Sequence, residues 1–321
     1  MVQLTYAEAM RTAICDEMRA DARVFVMGQD IQILSHANTM REFGTERIRN
    51  TPISEAGFVG AGIGAALTGM RPVVELGCST FLYSAMDQVV NQAAKSRYMF
   101  GGQASIPLVI RAPVLYNVSA AAHHSDRPWG LFAHAPGLKI IVPATPYDAK
   151  GMLTSAIRDE NTVLCFEDVS LLGMRAEVPT DSYTVPIGIA DVKRTGSDVT
   201  VVTLAAAVHH SLEAAQKLES EGVSVEVIDL RTVVPLDWET LIESVAKTGR
   251  LIAVDPAPRM CGVAAEVVAL VCEKAFNRLK CPVVRLTAPD VPVPFAPELE
   301  RLLYPTAVAI TSAIRQMMSN V

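Results

Sequence analysis

The sequence predicts an α/β protein of two domains, each built on a parallel sheet flanked by helices. Three observations carry this. Short apolar runs rich in β-branched residues recur without polar alternation, as strands buried on both faces require. Segments with apolar residues at spacings of three and four lie between them, which gives alternating βα units. The 321 residues are also more than one core usually holds.

In chain order, Tyr6–Arg19 reads as a helix and Val24–Met27 as the first buried strand. Ser54–Leu67 reads as a helix with Ser54 as N-cap, followed by a strand at Val73–Leu76 and a helix at Ala85–Met99. Pro107–Arg111 and Ile140–Val142 are strands separated by a long loop; the helix Pro146–Arg158 and the strand Val163–Glu167 follow. Arg175–Ser197 is rich in Pro and turn formers and reads as an extended crossing. This sets a boundary near residue 190, with domains 1–190 and 191–321. The second domain alternates strands at Val199–Leu204, Val223–Ile228, Leu251–Val254 and Val283–Leu286 with helices at Ala207–Ser220, Trp238–Ala246, Cys261–Arg278 and Pro297–Met318, the last interrupted at Pro305.

Composition narrows the function. Half the residues are hydrophobic and 19% are charged, which suits a buried core with apolar surface left for a partner. A net charge of -6 argues against a nucleic-acid partner. No apolar run is long enough to span a membrane, and MVQLTYAEAM lacks the basic-then-apolar order of a signal peptide, so a cytoplasmic location is expected. Six cysteines without a CxxC pair read mostly as reduced core thiols rather than a zinc site.

NTPISEAGFVGAGIGAALTG (Asn50–Gly69) resembles a phosphate loop at first sight. Its glycines fall inside a helical pattern and not between strand and helix, as a dinucleotide fingerprint needs, and no GxxxxGK[ST] is present. Several glycines in one helix suggest close packing against another backbone, each costing about 1 kcal/mol against Ala. Glu55 stands in the first turn, where a carboxylate is either a dipole-stabilising acid or a functional one.

Two further stretches carry chemistry. HHSDRPW (His123–Trp129) lies in a loop after a buried strand, where α/β proteins place their sites. Its contiguous His-Ser-Asp is no triad, since triad members meet in space. A metal site from His123, His124 and Asp126, a histidine acting as acid, base or substrate anchor, and ordinary loop histidines all stay open. In Thr80–Gly102, Phe81 and Tyr83 precede a helix bearing Asp87, Gln88, Asn91 and Lys95 at spacings of three and four. That is either an amphipathic helix with core aromatics or an aromatic platform for a flat ring.

Together these stretches, with HAPGLKIIVPATPYDAKGML and VIDLRTVVPLDWETL, resemble the beta subunit of the thiamine-diphosphate-dependent 2-oxo acid dehydrogenases: the decarboxylating component of the pyruvate, branched-chain and acetoin complexes. The resemblance runs along nearly the whole chain. It implies an N-terminal pyrimidine-binding domain and a transketolase C-terminal-like domain. It implies that Glu55 hydrogen-bonds N1′ of the aminopyrimidine and favours its imino tautomer, with the carboxylate desolvated. Phe81 would stack on the pyrimidine, with Ile53 and Gln88 also at the cofactor, and His124 would serve substrate and acyl transfer. His123, Asp126 and Arg127 would stand at the substrate mouth. Leu108, Ala156, Ile157, Asp159 and Asn161 match a potassium loop of mostly backbone oxygens. The family's GDG motif, which holds Mg2+ on the diphosphate, is absent from this sequence. An alpha subunit would supply it in an α2β2 heterotetramer, and a lipoyl acyltransferase would accept the acyl group.

The sequence departs from the family at several points. His123 replaces the usual Gln before His124, and SDRPW replaces a less charged pattern. Gln29 stands where an acid is common, and VDPAPRMCG replaces a Glu-containing run. Two other functions stay open: an acetoin-cleaving or transketolase-like enzyme using the same cofactor without lipoamide, and a non-catalytic scaffold. Glu55, Phe81 and His124 speak against the scaffold.

Overall fold

A computed structural model describes residues 1–34 and 36–319. The chain divides into two compact units. The first comprises 1–116, 123–126 and 132–187; the second comprises 117–122, 127–131 and 188–321.

The first unit contains β1 (Val2–Thr5), α1 (Tyr6–Ala20), β2 (Val24–Gln29), α2 (Ile31–Leu34), α3 (Ala37–Arg47), β3 (Ile48–Thr51), α4 (Glu55–Leu67), β4 (Arg71–Glu75), α5 (Ala94–Met99) and β5 (Val109–Val114). After the short α6 (Trp129–Ala133), whose first three residues belong to the second unit, come β6 (Lys139–Ile141), α7 (Pro146–Arg158), β7 (Val163–Asp168) and β8 (Arg175–Val178). Six of these strands run parallel in the order β6-β7-β5-β4-β2-β3. β7 is buried at every position and β2 at all but Gln29, which explains their unbroken apolar sequences. α1 starts at a capping box in which Thr5 and Glu8 serve each other's backbone amides. It buries Tyr6, Met10, Ile14 and Met18, a stripe at spacing four, and Glu17 pairs with Arg158 of α7 at 2.7 Å.

The second unit contains β9 (Asp191–Arg194), β10 (Val199–Thr203), α8 (Ala207–Glu219), β11 (Val225–Asp229), β12 (Thr232–Val234), α9 (Trp238–Thr248), β13 (Leu251–Pro258), α10 (Val263–Ala275), β14 (Val284–Ala288), α11 (Pro297–Glu300) and α12 (Ala307–Ser319). Its sheet runs β14-β13-β10-β11-β9, parallel except for the edge strand β9. The departure VDPAPRMCG has a structural role here. Asp255 is buried, accepts from the amides of Ala257 (2.9 Å) and Ala264 (3.4 Å) and from Trp129 Nε1 (3.3 Å), and so anchors the start of α10; burial pushes its carboxyl up.

All nine anticipated strands are present, with ends shifted by a few residues. Short strands with few apolar residues (β1, β3, β8, β9) and α3, kinked at Gly44, carry no periodicity and escape a sequence reading. The anticipated helix Ala85–Met99 is not uniform: a 3₁₀ segment Ser79–Ala85 and a π segment Gln88–Ala93 precede α5. Pro297–Met318 is two helices, α11 and α12, on either side of Pro305. The expectation of mostly buried thiols is also corrected. Cys15, Cys78 and Cys165 are buried, but Cys261 and Cys272 are exposed and Cys281 half-buried.

Candidate active site

The glycine-rich segment is helix α4, packed on the sheet. A Cβ at Gly62 would stand 2.7 Å from Cγ2 of Val74 on β4, so a glycine is needed there. Gly57, Ala61 and Gly64 lie on the opposite, exposed side. Ser54 occupies the N-cap position without a side-chain cap bond; its carbonyl accepts from Phe58. Glu55 in the first turn is partly exposed, so the single chain does not bury it as expected. Its charge reaches Cys78, whose thiol is pushed up by burial first and by Glu55 as a minor contribution. Ile53 is 75% exposed. The Thr51 hydroxyl, at the end of β3, is buried with no hydrogen-bond partner among the described residues.

Cys78 opens the 3₁₀ segment that presents Phe81. A Cβ at Gly77 would meet the Phe81 ring at 3.1 Å, so this glycine lets the ring lie against the backbone. The Phe81 and His124 rings meet edge to face, centroids 5.7 Å apart at 72°. Gln88 begins the π segment; its Cγ would lie 3.7 Å from a Cβ at Gly60, which brings it beside α4. π segments often mark functional sites. Asp87, Asn91 and Lys95 form a hydrogen-bonded ladder on the surface of this segment, at 2.6 and 2.8 Å.

His123 and His124 sit exposed on the 3₁₀ turn Ala122–His124. Asp126 is tied down on the same side as Phe81: Tyr83 Oη donates to its carboxylate at 2.9 Å and Ser79 Oγ to its carbonyl at 2.7 Å. Burial and the Asp126 charge push the Tyr83 phenol well up, so it stays a donor. Arg127 belongs to the second unit, where its buried guanidinium lies 4.0 Å from the ring centroid of Tyr304. Among the described residues no three His, Cys, Asp or Glu side chains are grouped to hold a metal ion.

The anticipated potassium loop is well served by its own chain. Arg71 donates to the carbonyls of Ile157 (3.0 Å) and Asp159 (3.1 Å). The amides of Val163 and Asp159 donate to the carbonyls of Leu108 (2.9 Å) and Ala156 (3.3 Å). Lys139 pairs with the Asp159 carboxylate and Arg97 with the Asn161 side chain at 2.7 Å. Three cationic side chains around these oxygens make a poor cradle for a further cation.

Sequence reasoning missed a buried network at the carboxyl ends of β4, β5 and β7. His36 Nε2 meets Glu75 at 2.8 Å; Arg111 pairs with Glu75 and, bidentately at 2.6 and 2.8 Å, with Glu167. Charged residues closing apolar strands, in PVVE, VIR and CFE, were the available signal; His36 offered none.

Comparison with known proteins defines the class first. Residues 2–174 match the transketolase pyrimidine binding domain and residues 188–310 the transketolase C-terminal domain. A solved chain described as "Split gene transketolase, inactive beta4 tetramer" superimposes with a TM-score of 0.82 at 22% identity, covering 98% of this chain and 97% of that one; this supports the fold. More similar in sequence are the Bacillus subtilis acetoin:2,6-dichlorophenolindophenol oxidoreductase subunit beta (42% identical over 99% of this chain and 98% of that one) and 2-oxoisovalerate dehydrogenase subunit beta (41%, 99% of both). The Bacillus subtilis pyruvate dehydrogenase E1 component subunit beta is 41% identical over 99% of both chains. The chain belongs to the family of thiamine-diphosphate-dependent 2-oxo acid and acetoin dehydrogenase beta subunits.

Proposed function

We propose that this chain, with an alpha subunit in an α2β2 heterotetramer, decarboxylates a small 2-oxo acid and passes the acyl group to the lipoyl group of an acyltransferase. The observation that carries this is the meeting of Phe81 and His124 beside α4, whose first turn bears Glu55. A partly open carboxylate, an aromatic ring and an orphaned Thr51 hydroxyl fit an aminopyrimidine, which needs a hydrogen-bond partner and a flat apolar surface.

Thiamine diphosphate, when bound, supplies the carbon nucleophile and the electron sink for decarboxylation. Glu55 holds the proton at N1′ of the pyrimidine, Phe81 packs on the ring, and Ile53 and Gln88 flank it. His124 moves a proton at the substrate oxygen, its ring in edge-to-face contact with Phe81. His123 and Asp126 line the substrate mouth; the Arg127 guanidinium stacks on Tyr304 within the second unit. The alpha subunit holds Mg2+ and the diphosphate. Potassium at residues 108 and 156–161 gains no support from the loop geometry. The exposed small-residue face Gly57, Ala61 and Gly64 suits close packing of a partner helix. A cytoplasmic location accords with six free cysteines, and among the described residues no helix is long and apolar enough to cross a membrane.

The acetoin-cleaving reading rests on one observation: an acetoin oxidoreductase beta subunit is as similar as the 2-oxo acid dehydrogenase ones. Co-expression with the alpha chain, then a screen of pyruvate, branched-chain and polar 2-oxo acids and acetoin, decides between them. Dye-linked turnover of a 2-oxo acid with lipoamide acylation supports the first reading. Turnover without acylation supports the second, and no thiamine diphosphate binding by the complex contradicts both.

A further inference from the structure

The histidine turn Ala122–His124 is entered through a strained stretch of backbone. Asn117, Ser119 and Ala121 have φ of +53°, +56° and +61°, while Val118 and Ala120 between them stay out of that region. Asn tolerates the left-handed conformation; Ser and Ala adopt it at a cost, because Cβ crowds the backbone carbonyl. Residues of this kind persist where their surroundings hold them, and they cluster at functional sites.

Glu300 holds this stretch. The segment 117–122 belongs to the second unit, as does Glu300 at the end of α11. Glu300 Oε2 accepts from the Ser119 amide at 2.8 Å, at the middle of the three left-handed residues. The carboxyl is 1% exposed, and its Oε1 is buried with no hydrogen-bond partner among the described residues. Burying a carboxyl on one amide donor loses more hydration than that bond regains. Stability therefore does not account for Glu300; the backbone it holds does.

The same short segment meets the far side of the turn. Tyr304, four residues on and also buried, has the Arg127 guanidinium 4.0 Å from its ring centroid, and residues 127–131 are likewise part of the second unit. His123–Asp126 thus run between two stretches that the Glu300–Tyr304 segment contacts.

We propose that Glu300 is a positioning residue for His124. By holding the Ser119 amide it fixes the backbone entering the turn, and with it the direction of the imidazole. The catalytic consequence rests on the function proposed above; the hold on the loop does not.

Two measurements test this: hydrogen exchange of the 117–124 amides in the purified full chain, and turnover of a 2-oxo acid by its αβ complex. Glu300→Gln keeps an oxygen for the Ser119 amide and is expected to match wild type in both. Glu300→Leu removes the acceptor. Its 117–124 amides should exchange about tenfold faster and kcat should fall about tenfold, with KM and thiamine diphosphate affinity within about twofold of wild type. In a His124→Ala background the same change should lower kcat less than about twofold, since the ring it acts through is already gone. If Glu300→Leu does not fold, Glu300→Asp, which withdraws the carboxyl, is expected to show the same losses. Unchanged exchange in the folded variant overturns the proposal. So does an equal loss in Glu300→Gln and Glu300→Leu, an additive loss in the His124→Ala background, or full turnover by His124→Ala itself. A wild-type complex that turns over no 2-oxo acid contradicts only the proposed function, and the exchange measurement then decides for Glu300.

Discussion

The Phe81 ring and the His124 imidazole meet edge to face, centroids 5.7 Å apart at 72°, so one aromatic side chain helps to orient a histidine. Such pairs contribute about 0.5–1.5 kcal/mol beyond area burial. Phe81→Ala is expected to weaken thiamine diphosphate binding by the αβ complex about tenfold and to lower kcat through His124. Phe81→Tyr should stay near wild type. Equal cofactor affinity in Phe81→Ala, measured by titration, would separate Phe81 from the cofactor.

Gly62 and Gly64 lie two residues apart on α4 and predict opposite outcomes. A Cβ at Gly62 runs into Val74 at 2.7 Å, so Gly62→Ala should destabilise the chain by about 1–3 kcal/mol, less the helix gain. Gly64 has nothing within 4 Å of its would-be Cβ, so Gly64→Ala should stabilise the isolated chain by about 1 kcal/mol. If the exposed face packs against a partner, the same change weakens assembly. Denaturation of the chain alone, set beside sedimentation of the complex, reads both.

Tyr83 donates to the Asp126 carboxylate at 2.9 Å and fixes the loop beside His123 and His124. Tyr83→Phe removes a charge-assisted bond of about 1.5–3 kcal/mol, lessened by partial exposure. The expected effect is a raised KM for the 2-oxo acid with kcat changed less. A change in kcat alone would assign Tyr83 a different role.

Acid should loosen the 156–161 loop. Burial raises the Asp159 carboxyl, but hydrogen bonds from Lys139 and Asn161 outweigh it, so its folded pKa lies below the ordinary value. A depressed carboxyl gives stability that is present above the unfolded pKa of about 4 and lost as pH falls through the folded one. Lys139→Met should therefore lower stability at neutral pH and flatten the acid limb below about pH 4. Thermal melts of the isolated chain across that window check it, and an unchanged acid limb would remove Asp159 from the account. Addition of potassium should shift neither melt.

Legibility followed burial. β2 and β7 could be read because they are buried at nearly every position and carry unbroken apolar runs; β3, with IRNT, and the edge strand β9, with DVKR, could not, because each offers a single apolar residue and no apolar run. The π segment was invisible because its residues keep helical spacing while the backbone winds wider. Glu55, Phe81 and His124 are singled out by motif context alone, and the structure brings Phe81 and His124 into contact. His36 was not legible: its partner Glu75 is 39 residues away, and only the fold brings them to 2.8 Å.

The central claim is that Glu55 is the catalytic carboxylate of a thiamine-diphosphate site completed by an alpha subunit. Turnover of a 2-oxo acid by the co-purified αβ complex, wild type against Glu55→Gln, tests it most directly. The account predicts a loss of at least about 10²–10⁴ in kcat with the heterotetramer intact by sedimentation. Full turnover by an assembled Glu55→Gln complex would contradict it.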